Sequence, residues 1–308
     1  MTDWLVIGIR FALYADLMLM VGLPAFALYA LSPDERSDYS LLPLQRPLVA
    51  LISAGLLLTL LGFLFICAAM MGVAPSEIDR DAMSSILLET SMGWAAIVRA
   101  IALATAALAL FGFRKTPRVA YGAAALLGTI ALISLLWNGH AGATEGSLGT
   151  THRISDALHI FAAALWIGAI AAFSMMLARP ATEIAEAHLK TIHGALDQFS
   201  RIGAILVAVI VVTGLINSQI LFGLANWSSL VGTTYGWLLF AKLMAFGTML
   251  LLAAANRWRL TPALARSIVS GGNATALATL KKSIVLESAI AIAVLALVAW
   301  LGTVSPIN

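Results

Sequence analysis

Apolar residues in this chain do not recur at a fixed short period but run on without interruption. Eight runs are long enough to cross a bilayer: residues 4–31, 48–71, 94–113, 119–137, 154–177, 202–221, 237–255 and 284–301. A spanning helix needs about 20 mainly apolar residues, whereas a barrel strand is about half as long and alternates. The expectation is therefore an all-α fold, a polytopic membrane protein built as a bundle of eight transmembrane helices, with residues 1–308 forming a single membrane domain. Only Arg114-Lys115-Thr116-Pro117-Arg118 separates the third run from the fourth. That segment reads as a tight basic hairpin in which Pro117 stops one helix and starts the next. Residues 183–190, between the fifth and sixth runs, read as an amphipathic surface helix.

Composition excludes the soluble classes. The chain is 61% hydrophobic and 11% charged, with mean hydropathy +0.97, where soluble domains average about 25% charged. Cys67 is the one cysteine, so no intramolecular disulfide forms and a thiolate metal cluster is not expected. Met1-Thr2-Asp3 lacks the basic start of a cleavable signal, and the first run is expected to remain as a permanent helix. Of the 18 Lys and Arg residues, 13 fall in the loops after runs one, three, five and seven. The opposite loops hold Arg80 and Arg153, and Arg10, Arg99 and Lys242 lie within runs. Basic loops stay on the cytoplasmic side, so both termini are expected to face outside, which for a bacterial chain means the periplasm.

Charge inside a span is costly and marks function by default. Asp16 sits near the middle of the first run, too deep to snorkel, and is either functional or structurally paired. Arg99 and Lys242 lie one to two turns from the outer ends of their helices, where Lys242 can snorkel. Glu287 lies about one turn inside the eighth run, where the helix dipole favours an anion and Arg257 is a candidate partner.

Histidine supplies the sharpest pattern. His188 and His193 fall in an inner loop, where solvated imidazole explains them. His140, His152 and His159 gather on the outer side, and His152, Asp156 and His159 share one helical face at i, i+4 and i+7. Imidazole suits copper, zinc, iron and nickel, and thioethers select Cu(I). Met70, Met71, Met83 and Met92 lie near the same side, although methionine also serves as apolar filler. Asp156 can ligate or orient a ring. A proton relay and a hydrogen-bonded packing cluster are the alternatives.

Several segments then occur in a familiar order: Tyr14-Ala15-Asp16, Gly22-Leu23-Pro24, Gly139-His140-Ala141, and His152 through His159 leading into Ala164-Leu165-Trp166-Ile167-Gly168. Phe199-Ser200-Arg201, Thr213-Gly214, Tyr235-Gly236 with Lys242, Asn256-Arg257-Trp258 with Pro262, Glu287 and Pro306 follow. With these, essentially the whole chain resembles the bacterial copper resistance protein D (CopD) family. The resemblance implies an eight-helix inner-membrane protein of copper tolerance, thought to move copper across the membrane, often with a periplasmic copper-binding partner of the CopC type. Such a partner is expected here as a separate protein.

The resulting expectation is that His140, His152 and His159, with Asp156 as ligand or orienting group, capture Cu(I) or Cu(II) at the outer mouth. Asp16, Asn217, Gln219 and Thr213 are candidates for an intramembrane ion path, and uptake into the cytoplasm is the favoured direction. Neither a phosphate-binding G-x-x-x-x-G-K-[ST] motif nor a hydrolase motif is present, so ATP-driven transport and hydrolysis are not expected. A b-type-cytochrome-like carrier holding haem b between histidines is the alternative, and a ligand-free structural subunit a third possibility.

Overall fold

A computed structural model describes residues 4–38, 41–139, 146–178, 186–270 and 273–305. Eight of its helices are long and apolar enough to cross a membrane, and no strand occurs among the described residues. The protein is an all-α polytopic membrane protein. In chain order the helices are α1 (Trp4–Ala30), α2 (Pro33–Ser37), α3 (Gln45–Met71), α4 (Arg80–Glu89), α5 (Ser91–Gly112) and α6 (Pro117–Ile133), the last continued by a 3-10 turn at Ser134–Asn138. Then come α7 (Gly146–Met176), α8 (Glu186–Leu221), α9 (Thr234–Ala255), α10 (Thr261–Ser270) and α11 (Asn273–Leu301).

The helix α1 is almost wholly apolar, Arg10 and Asp16 aside, and is the hub of the bundle: it packs against α3, α6, α7 and α11. A helix without a polar stripe has to be enclosed or face lipid, and α1 is enclosed. Its closest neighbour is α7, where Ala164, Gly168 and Ala172 form a buried stripe of small residues four apart. Gly22 of α1 lies directly against Gly168, and a Cβ on either glycine would collide with the other helix's backbone. Lipid offers no hydrophobic drive between helices, so close van der Waals approach through small residues does that work. Below this crossing, Phe26, Phe173 and Phe199 stack edge to face at 5.0 and 5.9 Å, tying α1, α7 and α8 together.

The ends of the bundle are pinned by polar contacts between sequence-distant segments. At the end carrying the basic loops, Thr191 of α8 donates to Glu35 of α2 at 2.6 Å, and Arg257 donates to the Ser200 carbonyl at 3.0 Å. At the opposite end Arg10 donates to the Asn138 carbonyl at 3.2 Å, and Trp4 meets Trp300 edge to face at 5.1 Å. Pro117 occupies the first turn of α6, as the basic hairpin predicts.

Three local expectations are corrected. Residues 186–190 do not form a separate surface helix; they are the first turns of the 36-residue α8, and 183–185 lie outside the described residues. His188 is accordingly buried rather than solvated, and its Nε2 donates to the Met176 carbonyl at 3.2 Å. Glu287 does not meet Arg257, as its partner is Asn256, whose Nδ2 donates to Glu287 Oε1 at 2.6 Å. A single π turn at Asn256–Leu260 joins α9 to α10 and turns Asn256 inward, while Arg257 reaches α8.

Candidate metal site

Two polar stripes face each other across α7 and α8. On α7 they are His152, Ser155, Asp156 and His159; on α8 they are Thr213 and Asn217, four residues apart. The Ser155 hydroxyl donates to the Thr213 carbonyl at 3.2 Å, and Asn217 Nδ2 donates to Asp156 Oδ1 at 3.3 Å. His159 Nδ1 stands 3.0 Å from Thr213 Oγ1. The Thr213 hydroxyl has one proton, and it goes to the Val209 carbonyl one turn back. Thr213 Oγ1 can then only accept from the ring, so Nδ1 carries the imidazole proton and Nε2 keeps its lone pair. That is the tautomer a metal ligand requires.

Lys242 of α9 lies within electrostatic reach of Asp156 but forms no ion pair with it. Lys242 and His159 both line a cleft of about 810 Å³ between α8 and α9, walled by Trp166, Phe240 and Phe246.

The outer stripe does not converge into a cage. Among the described residues, no three His, Cys, Asp or Glu side chains are grouped to hold a metal ion. The reason is geometric: residues i and i+7 share a helical face but lie about 10.5 Å apart along the axis. His152 is 2% exposed and enclosed in the bundle, whereas His159 meets α8 and the cleft. His140 lies outside the described residues. Met70, Met71, Met83 and Met92 sit on α3, α4 and α5, elements that pack chiefly on one another, α1 and α6.

The remaining intramembrane charges occupy other places. Arg99 is 2% exposed, and its Nε donates to Ser134 Oγ at 2.9 Å. Asp16 is buried against α3, where a Cβ on Gly55 would come within 2.6 Å of its Oδ2. It is thereby separated from Thr213 and Asn217, which face α7. The haem alternative gains no support: His152 and His159 lie on one helix, and His188 and His193 lie near the basic end of α8. Among the described residues no imidazole faces another from an opposing helix across the cleft.

Sequence reading placed Thr213 on an ion path and missed its part in fixing the His159 ring. The signal was present, because Thr213 and Asn217 are spaced to match Asp156 and His159. Ser134 was missed altogether, and Asn256 entered only through the family resemblance, without its bond to Glu287; as lone polar residues at helix ends they carry no periodic signal.

Fold and site together define a class: a polytopic all-α membrane protein with an imidazole–carboxylate–ammonium cluster among its helices. Residues 1–150 match the family model described as copper resistance protein D-like, N-terminal domain, and residues 193–301 match that described as copper resistance protein D. Copper resistance protein D of Pseudomonas syringae pv. tomato is 37% identical over 306 residues, covering 99% of this chain and 98% of the relative. Inner membrane protein YebZ of Escherichia coli (strain K12) is 27% identical over 269 residues, covering 83% and 84%. The chain belongs to the copper resistance protein D family. No solved structure matches it significantly.

Proposed function

We propose that this protein handles copper in the bacterial inner membrane, taking the ion at the end opposite its basic loops and passing it towards the cytoplasm. The observation that carries this reading is the contact of His159 Nδ1 with Thr213 Oγ1, whose own proton goes to Val209: it assigns the ring proton to Nδ1 and the Nε2 lone pair to a soft cation near the Asp156 carboxylate. His152, and His140 outside the described residues, are the further imidazoles available at that end. A loose ligand set suits an ion that must leave again, which a rigid three-ligand cage would retain. Family membership supplies copper as the cargo, either Cu(I) or Cu(II), since imidazole and carboxylate accept both.

The excess of Lys and Arg in the loops after the odd-numbered spans supports an orientation with both termini in the periplasm. The name of the relative YebZ supports the inner membrane. A membrane potential negative inside then favours uptake of a monovalent cation by about 2.3 kcal/mol per 100 mV. The chain acts as one membrane-embedded unit, with a separate CopC-like periplasmic protein as copper donor, and carries out no covalent chemistry. Copper accumulation in cells expressing wild type or the His152→Ala, His159→Ala double variant tests this. The variant is expected to abolish the excess cytoplasmic copper; equal accumulation by the two proteins would remove these residues from transport.

A further inference from the structure

Away from the basic loops, three basic side chains lie inside the bundle itself. Arg10, Arg99 and Lys242 all lie there within spanning helices. The Asp156 carboxylate accepts from Asn217, with Lys242 within electrostatic reach. Asp16 lies deeper on the same α1–α3–α5 interface, beside Gly55 and Leu103, and does not line the Arg10–Arg99 cavity. Two guanidiniums remain, and no carboxylate among the described residues lines the place where they meet.

That place is a cavity of about 50 Å³ lined by Arg10, Arg99, Tyr14, Asn138 and apolar side chains of α1 and α3. Arg99 is 2% exposed; its Nε is satisfied by Ser134, but its buried Nη2 donates to nothing. Arg10 gives Nη1 to the Asn138 carbonyl, and its buried Nε likewise has no acceptor. The Asn138 side-chain amide is also unmatched at Oδ1, and a half-turn of the amide presents its N–H₂ instead. Tyr14 stands within electrostatic reach of both arginines and of Asp156.

Buried polar groups are rarely left unpaired, and intramembrane charge is either compensated or functional. A guanidinium has donors only, so what is missing is an acceptor, and two positive charges call for one that is negative. The volume corresponds to a few water-sized spheres, too small for a phospholipid headgroup or a nucleotide. We infer that Arg10 and Arg99 bind a small inorganic anion of the halide class, chloride in size, in this cavity. The site lies outside the His152–His159 stripe and stands independently of the copper reading.

The test uses the full chain, purified in chloride-free buffer with gluconate as the only anion. Thermal unfolding is followed as sodium bromide replaces gluconate at constant ionic strength, and bromide is located by anomalous scattering in crystals. The expected result is a rise in Tm that saturates with bromide or chloride but not with sulfate, with a bromide peak at the Arg10–Arg99 cavity. Arg99→Gln alters a fully buried position and risks misfolding, so Arg10→Gln at a half-buried position is the decisive variant. It is expected to fold and to lose the halide-dependent shift. An equal response to sulfate, no response to halide, or a cavity holding only water would each overturn the assignment. Failure of copper binding in the same preparation would leave this result standing.

Discussion

At the scale of single residues, the side chains that matter are those whose hydrogen-bond capacity is fully spoken for. Thr213 spends its one proton on the Val209 carbonyl and offers only lone pairs to His159, which defines the His159 ring. Thr213→Val keeps the shape and removes the acceptor. Groups that orient a ligating imidazole are typically worth about 10- to 100-fold in metal affinity. Copper affinity of the purified variant, measured by competition with a chromogenic chelator, is expected to fall by that order; an unchanged affinity would deny Thr213 this part. Asn256 makes a contrasting case, because its 2.6 Å bond is to a buried carboxyl at the far end of the bundle. Asn256→Ala leaves Glu287 without this donor and is expected to cost about 1–3 kcal/mol of stability, visible as a lower unfolding midpoint with copper affinity unchanged. The role of His159 was half legible in the sequence. Its face was set by helical periodicity, but the identity of its partner depended on which helix packs alongside, and a single chain gives no direct sign of that.

At the scale of elements, the molecule turns on the crossing of α1 and α7. Gly22 and Gly168 each occupy space where the other's Cβ would go, so Gly168→Ala forces the helices apart. Overpacking of this kind costs about 1–3 kcal/mol or more, and the variant is expected to show a lowered unfolding midpoint and poor recovery from membranes. Wild-type behaviour would mean the crossing is looser than described. A second element-scale contact lies outside the membrane, between α2 and α8. Burial pushes the Glu35 carboxyl up, but hydrogen bonds from Thr191 and Ser32 prevail and hold it below its ordinary 4.5. A carboxyl depressed by folding contributes stability above its unfolded value and loses it as the pH falls through its folded one. The stability gap between wild type and Glu35→Gln is therefore expected to be full at neutral pH and to close below pH 4.5; parallel unfolding curves across that range would contradict it. Hydropathy located the ends of these helices better than their beginnings. The final residues of α3, α5 and α9 fall within a residue of expectation, whereas α7, α8 and α11 begin well before the apolar run. A helix anchored in the bilayer extends by further turns beyond its apolar stretch, and polar first turns such as 186–190 of α8 give no hydropathy signal.

At the scale of the whole molecule, the eight spans and their uneven charge were legible because the bilayer enforces both: backbone groups must be satisfied within each segment, and loop cations stay on one side. The site was less legible, since three residues on one helical face need not converge on one point. The stripe from His152 to His159 divides between an enclosed imidazole and one that faces α8 and the cleft. The account rests on His159 as a copper ligand, and X-ray absorption at the copper edge tests it most directly. Copper-loaded wild type is expected to show imidazole scattering that is diminished or lost in His159→Leu, in preparations whose thermal unfolding is matched. Identical copper occupancy and identical imidazole scattering in the two proteins would contradict it.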